Sequence, residues 1–341
     1  MSSLYRKYRP AQFSEVVGQS HIVNILEAEV KKVESAAQPS HAYLFAGSRG
    51  TGKTTIARIF AQNIGTAPED IYEIDAASNT SVEDIRTLNE AVYTLPLNSK
   101  FKVYILDEVH MLSKSAFNAF LKTLEEPPKH VIFILATTEL HKIPETIISR
   151  CQLFHFAKPT VETLKNHVIN VARKEGVEMD EKAAEVIAMV GNGSYRDTLS
   201  TLQSVVGMAK AGGKDSAKVS LEEVEKIISV PPHLLVSSFV DAVLGARAGS
   251  ESVSADSTGL AAGISILKKI HESDMDVKIF ADLVMSELRA FLLSEAGITK
   301  SKKQVADAIR MLELLLAHRE QVGKTFVSVM PIELALFKFF V

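Results

Sequence analysis

Three groups of residues in this chain have the types and spacing for chemistry on a phosphate: a lysine behind a glycine-rich turn, two adjacent acids and two adjacent threonines. The first lies in Gly47-Ser48-Arg49-Gly50-Thr51-Gly52-Lys53-Thr54-Thr55, which satisfies the spacing G-x-x-x-x-G-K-[ST] and follows the apolar run AYLFA directly. In such a loop the glycines let successive backbone amides turn toward a β-phosphate, and a helix starting near the lysine adds the positive end of its dipole. Lys53 then neutralises β- and γ-phosphate oxygens, and Thr54 offers a hydroxyl to Mg²⁺. The predicted ligand is a nucleoside triphosphate with its Mg²⁺, and the helix behind the loop is expected to bury Ile56, Ile59, Phe60 and Ile64.

The acids close the apolar run Val103-Tyr104-Ile105-Leu106, so Asp107 and Glu108 stand at the C-terminal end of a strand, the side on which open α/β sheets bind ligands. With a phosphate loop upstream, Asp107 is expected beside Mg²⁺, and Glu108 is expected to orient and deprotonate the attacking water. Taken alone, an acid pair after a strand serves equally as a helix cap. Thr137 and Thr138 end a third apolar run, and one of their hydroxyls can report on the γ-phosphate or its water, or both can cap the next turn. His110 begins the following helical stretch, where a histidine more often packs or switches than catalyses.

The elements that must hold these groups are legible in the alternation of patterns. Between Ala42 and about Ala157, the β-branched runs AYLFA, IYEID, FKVYILDE and VIFILATT alternate with amphipathic stretches, which predicts an α/β domain with a parallel sheet covered by helices. After Pro159 the pattern is helical, with Thr160 able to cap the first turn and Glu162 and Thr163 able to bind its free amides. A stretch rich in Gly, Lys, Ala and Ser, Ala209 to Ser220, separates this unit from another helical one. The expected domains are therefore 1–158, 159–220 and 221–341. In the last, Ile309, Leu312, Leu316, Leu334 and Phe337 have helical spacings that fit a packed or oligomerising domain, and 245–263, rich in Ser and Gly, is expected to be a loop or weak helix.

Composition narrows the class. With 341 residues, 46% hydrophobic and 23% charged, the chain has the balance of a folded globular protein and length for two or three domains. Its 38 basic and 41 acidic residues give a net charge of -3, so nucleic acid can be held only by local patches. One cysteine, Cys151, excludes an intramolecular disulfide, fits a reducing compartment and is expected to be a small buried apolar side chain. The opening MSSLYRKYRP lacks the apolar core of a signal peptide and no apolar run is long enough to span a membrane, so a cytoplasmic protein without a membrane partner is expected.

Taken together, YRKYRPAQFSEVVGQSHI, GSRGTGKTTIARIFA, EIDAASN, FKVYILDEVHMLSKSAFNAFLKTLEEPP, ILATTE, IPETIISRCQLFHF and GSYRDTLS resemble the AAA+ ATPases, and among them the gamma/tau family of bacterial clamp-loader motor subunits. The segments cover about the first two-thirds of the chain. The resemblance implies a P-loop AAA+ sheet domain, a helical lid and a helical collar. It implies an adenosine pocket near Tyr8, Arg9, Pro10, Val17 and Gly18, and it places the sensor hydroxyl on Thr138. Arg150 matches the finger that reaches the γ-phosphate held by a neighbouring subunit, and Arg196 matches the lid arginine that contacts nucleotide in its own subunit. Read without the family, either arginine is a surface salt-bridge partner.

The implied ligands are ATP and Mg²⁺. The implied partners are other copies of the chain, delta and delta-prime type subunits, a sliding clamp, primed template DNA and, through companion subunits, single-strand-binding protein. Many members carry a four-cysteine zinc module before the second strand, whereas here that stretch is only Asn63 to Asp70, so no zinc is expected. The end at Phe339-Phe340-Val341 resembles the short gamma form. Ser78-Asn79-Thr80 match the family's DNA-tracking position but serve equally as caps for a helix starting near Val82. A helicase-type motor and a non-catalytic loader scaffold are the competing expectations. The first lacks a second ATPase core, and the second is at odds with intact Lys53, Thr54, Asp107 and Glu108.

Overall fold

The computed structural model describes residues 3–78, 81–211, 218–245, 253–273, 275–293 and 302–340. The chain divides into two compact units, Met1–Lys218 and Val219–Val341. The first begins with α1 (Leu4–Lys7) and α2 (Ser20–Glu34), then β1 (Ala42–Ala46), α3 (Lys53–Asn63), β2 (Ile71–Asp75) and α4 (Val82–Ala91). It continues with β3 (Lys102–Asp107), α5 (Lys114–Glu125), β4 (Val131–Thr137), α6 (Glu145–Ile148) and β5 (Gln152–His155), and ends in α7 (Val161–Lys174), α8 (Glu181–Val190) and α9 (Tyr195–Ala211).

The five strands form one parallel sheet in the order β2-β3-β4-β1-β5. Its central strands are buried along nearly their whole length, and apolar except at their ends, because helices cover both faces, and alternation decides which side chain meets which helix. Tyr43, Phe45, Val103 and Ile105 join Ile56, Ile59 and Phe60 of α3 in one core, while Leu44, Tyr104, Leu106 and Phe133 join Phe117 and Phe120 of α5 in the other. Ile64 also lies in the first core, so all four apolar residues expected behind the glycine-rich loop are buried.

Parallel register sets the strand ends at a common level. Ala46 pairs with Thr137 and Leu106 with Leu135, so the loop after β1, the acids after β3 and the threonines ending β4 emerge side by side at the C-terminal edge. The cap of α4 differs from expectation: Ser81 caps it, accepting from Asp84 N while the Asp84 carboxylate accepts from Ser81 N, an arrangement that satisfies two orphan amides. Asn79 and Thr80 lie outside the described residues. Ser78 instead donates to Asp75 Oδ2 at 3.2 Å.

Helices α7, α8 and α9 pack around Leu164, Val168, Ala184, Ile187, Leu202 and Val205. Thr160 caps α7 by accepting from Thr163 N, as expected, whereas Glu162 pairs with Lys165 instead of the free amides. Half of the expected linker, 212–217, lies outside the described residues.

The second unit is helical: α10 (Leu221–Ile227), α11 (His233–Gly245), α12 (Val253–Glu272), α13 (Val277–Leu293), α14 (Lys302–His318) and α15 (Met330–Phe340). Phe239, Leu267, Phe280, Leu288, Met311 and Phe339 build its core. The later part of the stretch 245–263 belongs to α12, and residues 246–252 are outside the described set. Leu312 packs against the core, but Ile309, Leu316, Leu334 and Phe337 face outward. Among the described residues no helix is long and apolar enough to cross a membrane.

Candidate functional site

The C-terminal edge of the sheet opens into a cleft of about 870 Å³ within the first unit. Gly50, Thr51, Gly52, Lys53, Thr54 and Thr55 form one wall, and Asp107 and Glu108 stand beside them. Gly52, at φ 101°, directly precedes α3, so the first turn of that helix is aimed at the cleft. Gly50 has φ +75°, and a Cβ there would lie 1.9 Å from Ser194 Oγ, so this position needs glycine both for its backbone and for the approach of the residues before α9.

Lys53 is 6% exposed, and its Nζ donates to the carbonyls of Gly47 at 2.8 Å and Ser48 at 3.1 Å. Burial pushes the ammonium below its ordinary range, while the charges of Glu108 and Asp107 oppose that shift. Thr54 Oγ1 donates to Asp107 Oδ2 at 2.7 Å. A hydroxyl and a carboxylate at this separation form a hard-oxygen donor set of the kind Mg²⁺ accepts, since Mg²⁺ takes one or two protein groups and keeps several waters. Among the described residues there is no cluster of three or more His, Cys, Asp or Glu side chains able to hold a metal.

Glu108 adopts a left-handed backbone, φ 50° and ψ 43°, at a cost of about 1 kcal/mol or more for a residue with a Cβ. This turn separates its direction from that of Asp107. Its Oε2 accepts from Thr138 Oγ1 at 3.0 Å, and His110 Nδ1 lies 3.4 Å away. The His110 ring is only 7% exposed, with Nδ1 3.2 Å from Thr137 Oγ1 and Nε2 3.3 Å from Glu139 Oε1. The threonine pair is thus divided: Thr138 meets the acid, and Thr137 meets His110 while accepting from the Glu139 amide. The string Asp107-Glu108-Val109-His110 already sets His110 near the acids, and the fold adds Thr137 and Glu139 as its partners.

The cleft is also lined by Tyr8, Arg9, Pro10, Val16, Val17, Tyr195 and Leu199. Arg9 Nε donates to Thr55 Oγ1 at 3.0 Å; burial lowers its pKa, helped by the charges of Arg58 and Arg196. Arg6, Arg49, Arg58 and Arg196 also reach the cleft, so with Lys53 and Arg9 six cations face the three acids Asp75, Asp107 and Glu108. That balance suits a polyanion.

Of the residues singled out from sequence, Tyr8, Arg9, Pro10, Val17, Arg49 to Thr55, Asp107, Glu108 and Arg196 line this one cleft. Gly47 and Ser48 face Lys53 through their carbonyls, Gly18 lies behind Tyr195, and Thr138 reaches the cleft through Glu108. Arg150 is elsewhere: it pairs with Glu125 and donates to Thr146 O at 2.8 Å. Tyr5, Arg6, Val16, Arg58, Asp75, His167, Tyr195 and Leu199 line the cleft without a sequence signal of their own, except that Tyr195 adjoins Arg196.

Cys151 is half-buried beside the second core, and burial pushes its thiol up to about 12.

Comparison with known proteins places these features among relatives. A family model described as DNA polymerase III, delta subunit, matches residues 65–160. The chain is 45% identical over 228 residues to DNA polymerase III subunit tau of Bacillus subtilis, a match covering 61% of this chain and 40% of that protein. It is 37% identical over 262 residues to DNA polymerase III subunit gamma of Buchnera aphidicola from Acyrthosiphon pisum, covering 71% of this chain and 70% of that one. Among solved structures, RuvB of Thermotoga maritima, a Holliday junction branch migration motor, superposes with a TM-score of 0.56 at 21% identity, over 76% of this chain and 85% of that one.

Proposed function

This chain belongs to the DNA polymerase III gamma/tau family, with the AAA+ P-loop fold, and on that premise we propose that it is an ATP-hydrolysing motor subunit of a clamp loader. It spans 40% of the length of the Bacillus tau subunit, so its activity, substrate and partners stand as proposals. The observation that carries the reading is the convergence of Lys53, the Thr54–Asp107 pair and Glu108 on one cationic cleft.

In this reading Lys53 and the loop amides hold the β- and γ-phosphates of ATP, and Thr54 and Asp107 hold Mg²⁺, which when bound offsets charge on the phosphates. Glu108 accepts the proton of the attacking water, and Thr138 keeps its carboxylate aligned. Arg196 contacts the phosphates from the lid. Tyr8, Arg9, Pro10, Val17 and Gly18 frame the adenosine. The domains are a sheet domain to residue 158, a lid to 220 and a collar beyond it, and no zinc takes part.

Arg150 does not line the chain's own cleft and is half-exposed, so it is the candidate finger for the next subunit once released from Glu125. The outward apolar residues Ile309, Leu316, Leu334 and Phe337 give the collar a face for other copies or for delta and delta-prime type subunits. The subunits, locked by ATP into a spiral, open a sliding clamp and load it on primed DNA in the cytoplasm, with single-strand-binding protein reached through companion subunits. Ser78, Asn79 and Thr80 are the candidate positions for following duplex phosphates.

The test is hydrolysis by Glu108→Gln, by Arg150→Ala and by an equal mixture, each in the assembled loader with clamp and primed DNA. Each variant alone is expected to be nearly inactive and the mixture to regain activity, because an intact acid then meets an intact finger across an interface. Wild-type hydrolysis by Arg150→Ala would show a site complete within one chain and overturn the shared-site motor.

A further inference from the structure

His110 sits between two carboxylates. Glu108 lines the cleft, whereas His110 and Glu139 do not. Nδ1 of the buried ring lies 3.4 Å from Glu108 Oε2, and Nε2 lies 3.3 Å from Oε1 of the half-exposed Glu139. The three side chains therefore run in series from the cleft toward solvent.

Hydrogen-bond direction assigns the ring's tautomer. Thr137 is fully buried, and its Oγ1 accepts from the Glu139 amide at 3.0 Å. Among the described residues its own hydrogen has one acceptor, His110 Nδ1 at 3.2 Å. Nδ1 is then an acceptor, and a neutral imidazole with a bare Nδ1 carries its hydrogen on Nε2, the nitrogen facing the Glu139 carboxylate. Glu139 stays ionised: Lys142 Nζ, at 2.9 Å, holds its carboxyl below the ordinary range, with the charges of His110 and His141 adding to the shift. A proton arriving at Nδ1 makes an imidazolium with a carboxylate on each side, the kind of pairing by which an acid supports a histidine in proton transfer.

We infer that His110 accepts the proton that Glu108 takes from water, and that Glu139 is the positioning residue that holds its ring in the accepting tautomer. As water attacks the γ-phosphorus, one of its O–H bonds breaks, the new P–O bond forms and the bond to the β–γ bridging oxygen breaks. The proton goes to the Glu108 carboxylate and from Oε2 to Nδ1, which restores the carboxylate, while Thr137 turns from donor to acceptor. The imidazolium then loses a proton to solvent, and Thr137 and Glu139 restore the starting tautomer. Glu108 is thereby ready for the next water without giving up its proton through a cleft that nucleotide fills. This role rests on the reading of Glu108 as the base of ATP hydrolysis.

The experiment reads single-turnover hydrolysis and ATP affinity in the assembled loader with clamp and primed DNA. His110→Asn keeps an acceptor for the Thr137 hydroxyl but cannot take up a proton. Its hydrolysis is expected to fall roughly 10- to 100-fold, with affinity within about twofold of wild type. Glu139→Gln keeps the acceptor oxygen and removes the charge, and roughly 3- to 10-fold of the rate is expected to go with it. In the Glu108→Gln background, where no proton reaches residue 108, adding His110→Asn is expected to change the residual rate by less than about twofold. Free imidazole is expected to restore part of the rate lost in His110→Ala and none of that lost in Glu108→Gln. Wild-type hydrolysis by His110→Asn, a matching loss of ATP affinity, the same loss repeated in the Glu108→Gln background, or no effect of imidazole on His110→Ala would each overturn the role. If the His110 variants do not fold, Glu139→Gln carries the test, and wild-type hydrolysis by it is the overturning result. Wild-type hydrolysis by Glu108→Gln would instead overturn the base on which the role rests.

Discussion

Thr138 and Glu108, thirty residues apart, meet in a hydrogen bond in which the threonine Oγ1 donates to the carboxylate Oε2 at 3.0 Å. Thr138 follows β4 and Glu108 follows β3, so the bond exists because those strands are parallel neighbours ending at one level. It ties a proposed general base to a proposed sensor before any water is positioned.

Thr138→Val keeps the size of the side chain and removes the donor. Hydrolysis in the assembled loader is expected to fall about tenfold, while Glu108→Gln loses about 10²- to 10⁴-fold, the usual scale for a positioned base. Nucleotide affinity should stay within about twofold in both. Steady-state hydrolysis alongside equilibrium binding checks this, and wild-type turnover by Thr138→Val would remove the threonine from the mechanism.

Acid should loosen the N-terminal segment from helices α7 and α9. Glu175 accepts from Lys7 Nζ at 2.6 Å, Tyr8 Oη at 2.7 Å and Lys210 Nζ at 3.1 Å, and these donors, Lys7 and Tyr8 foremost, hold its carboxyl down at about 2 against an ordinary 4.5. A depressed folded-state pKa means that the stabilisation is fully present above about 4.5 and is lost as pH falls toward 2. Melting temperature recorded from pH 6 downward should therefore fall less steeply below about 4.5 in Glu175→Gln than in wild type. Parallel curves would show that the cluster adds nothing to stability.

Phe133 is fully buried at the centre of β4, edge-on to Phe120 at 5.1 Å and stacked on Tyr104 at 5.7 Å. Truncation to alanine leaves a cavity between sheet and helix that rigid strands cannot close. Phe133→Ala is expected to destabilise the first unit by about 3 to 5 kcal/mol. Urea unfolding would register this as a lower midpoint for the transition of that unit, and a loss under about 1 kcal/mol would contradict the packing described.

Local spacing made much of the site legible. The loop from Gly47 to Thr55, the acids ending β3 and the threonines at the end of β4 are contiguous strings whose backbone conformation follows from glycine, from apolar runs and from the turn they enter. The four buried apolar positions of α3 follow from 3.6-residue periodicity in the same way. The cap of α4 was not legible to that depth, because several consecutive small polar residues can each begin a helix, and the partner carboxylate of Asp84 selects Ser81.

Glu175 and Tyr195 carried no such string, because what they do depends on residues far away in sequence. Glu175 meets Tyr8 across 167 positions, and Tyr195 meets Val17 across 178. Such pairs depend on where helices α7 to α9 lie against the N-terminal segment, and periodicity within a segment contains no term for that placement. Arg150 shows the same division: its place before β5 is readable, but its pairing with Glu125 and Thr146 is set by the packing of α5 and α6. The one-dimensional pattern specifies which groups stand at each strand end, since that depends on local backbone geometry. Which of them touch, and which point outward, follows from how the sheet and its helices pack.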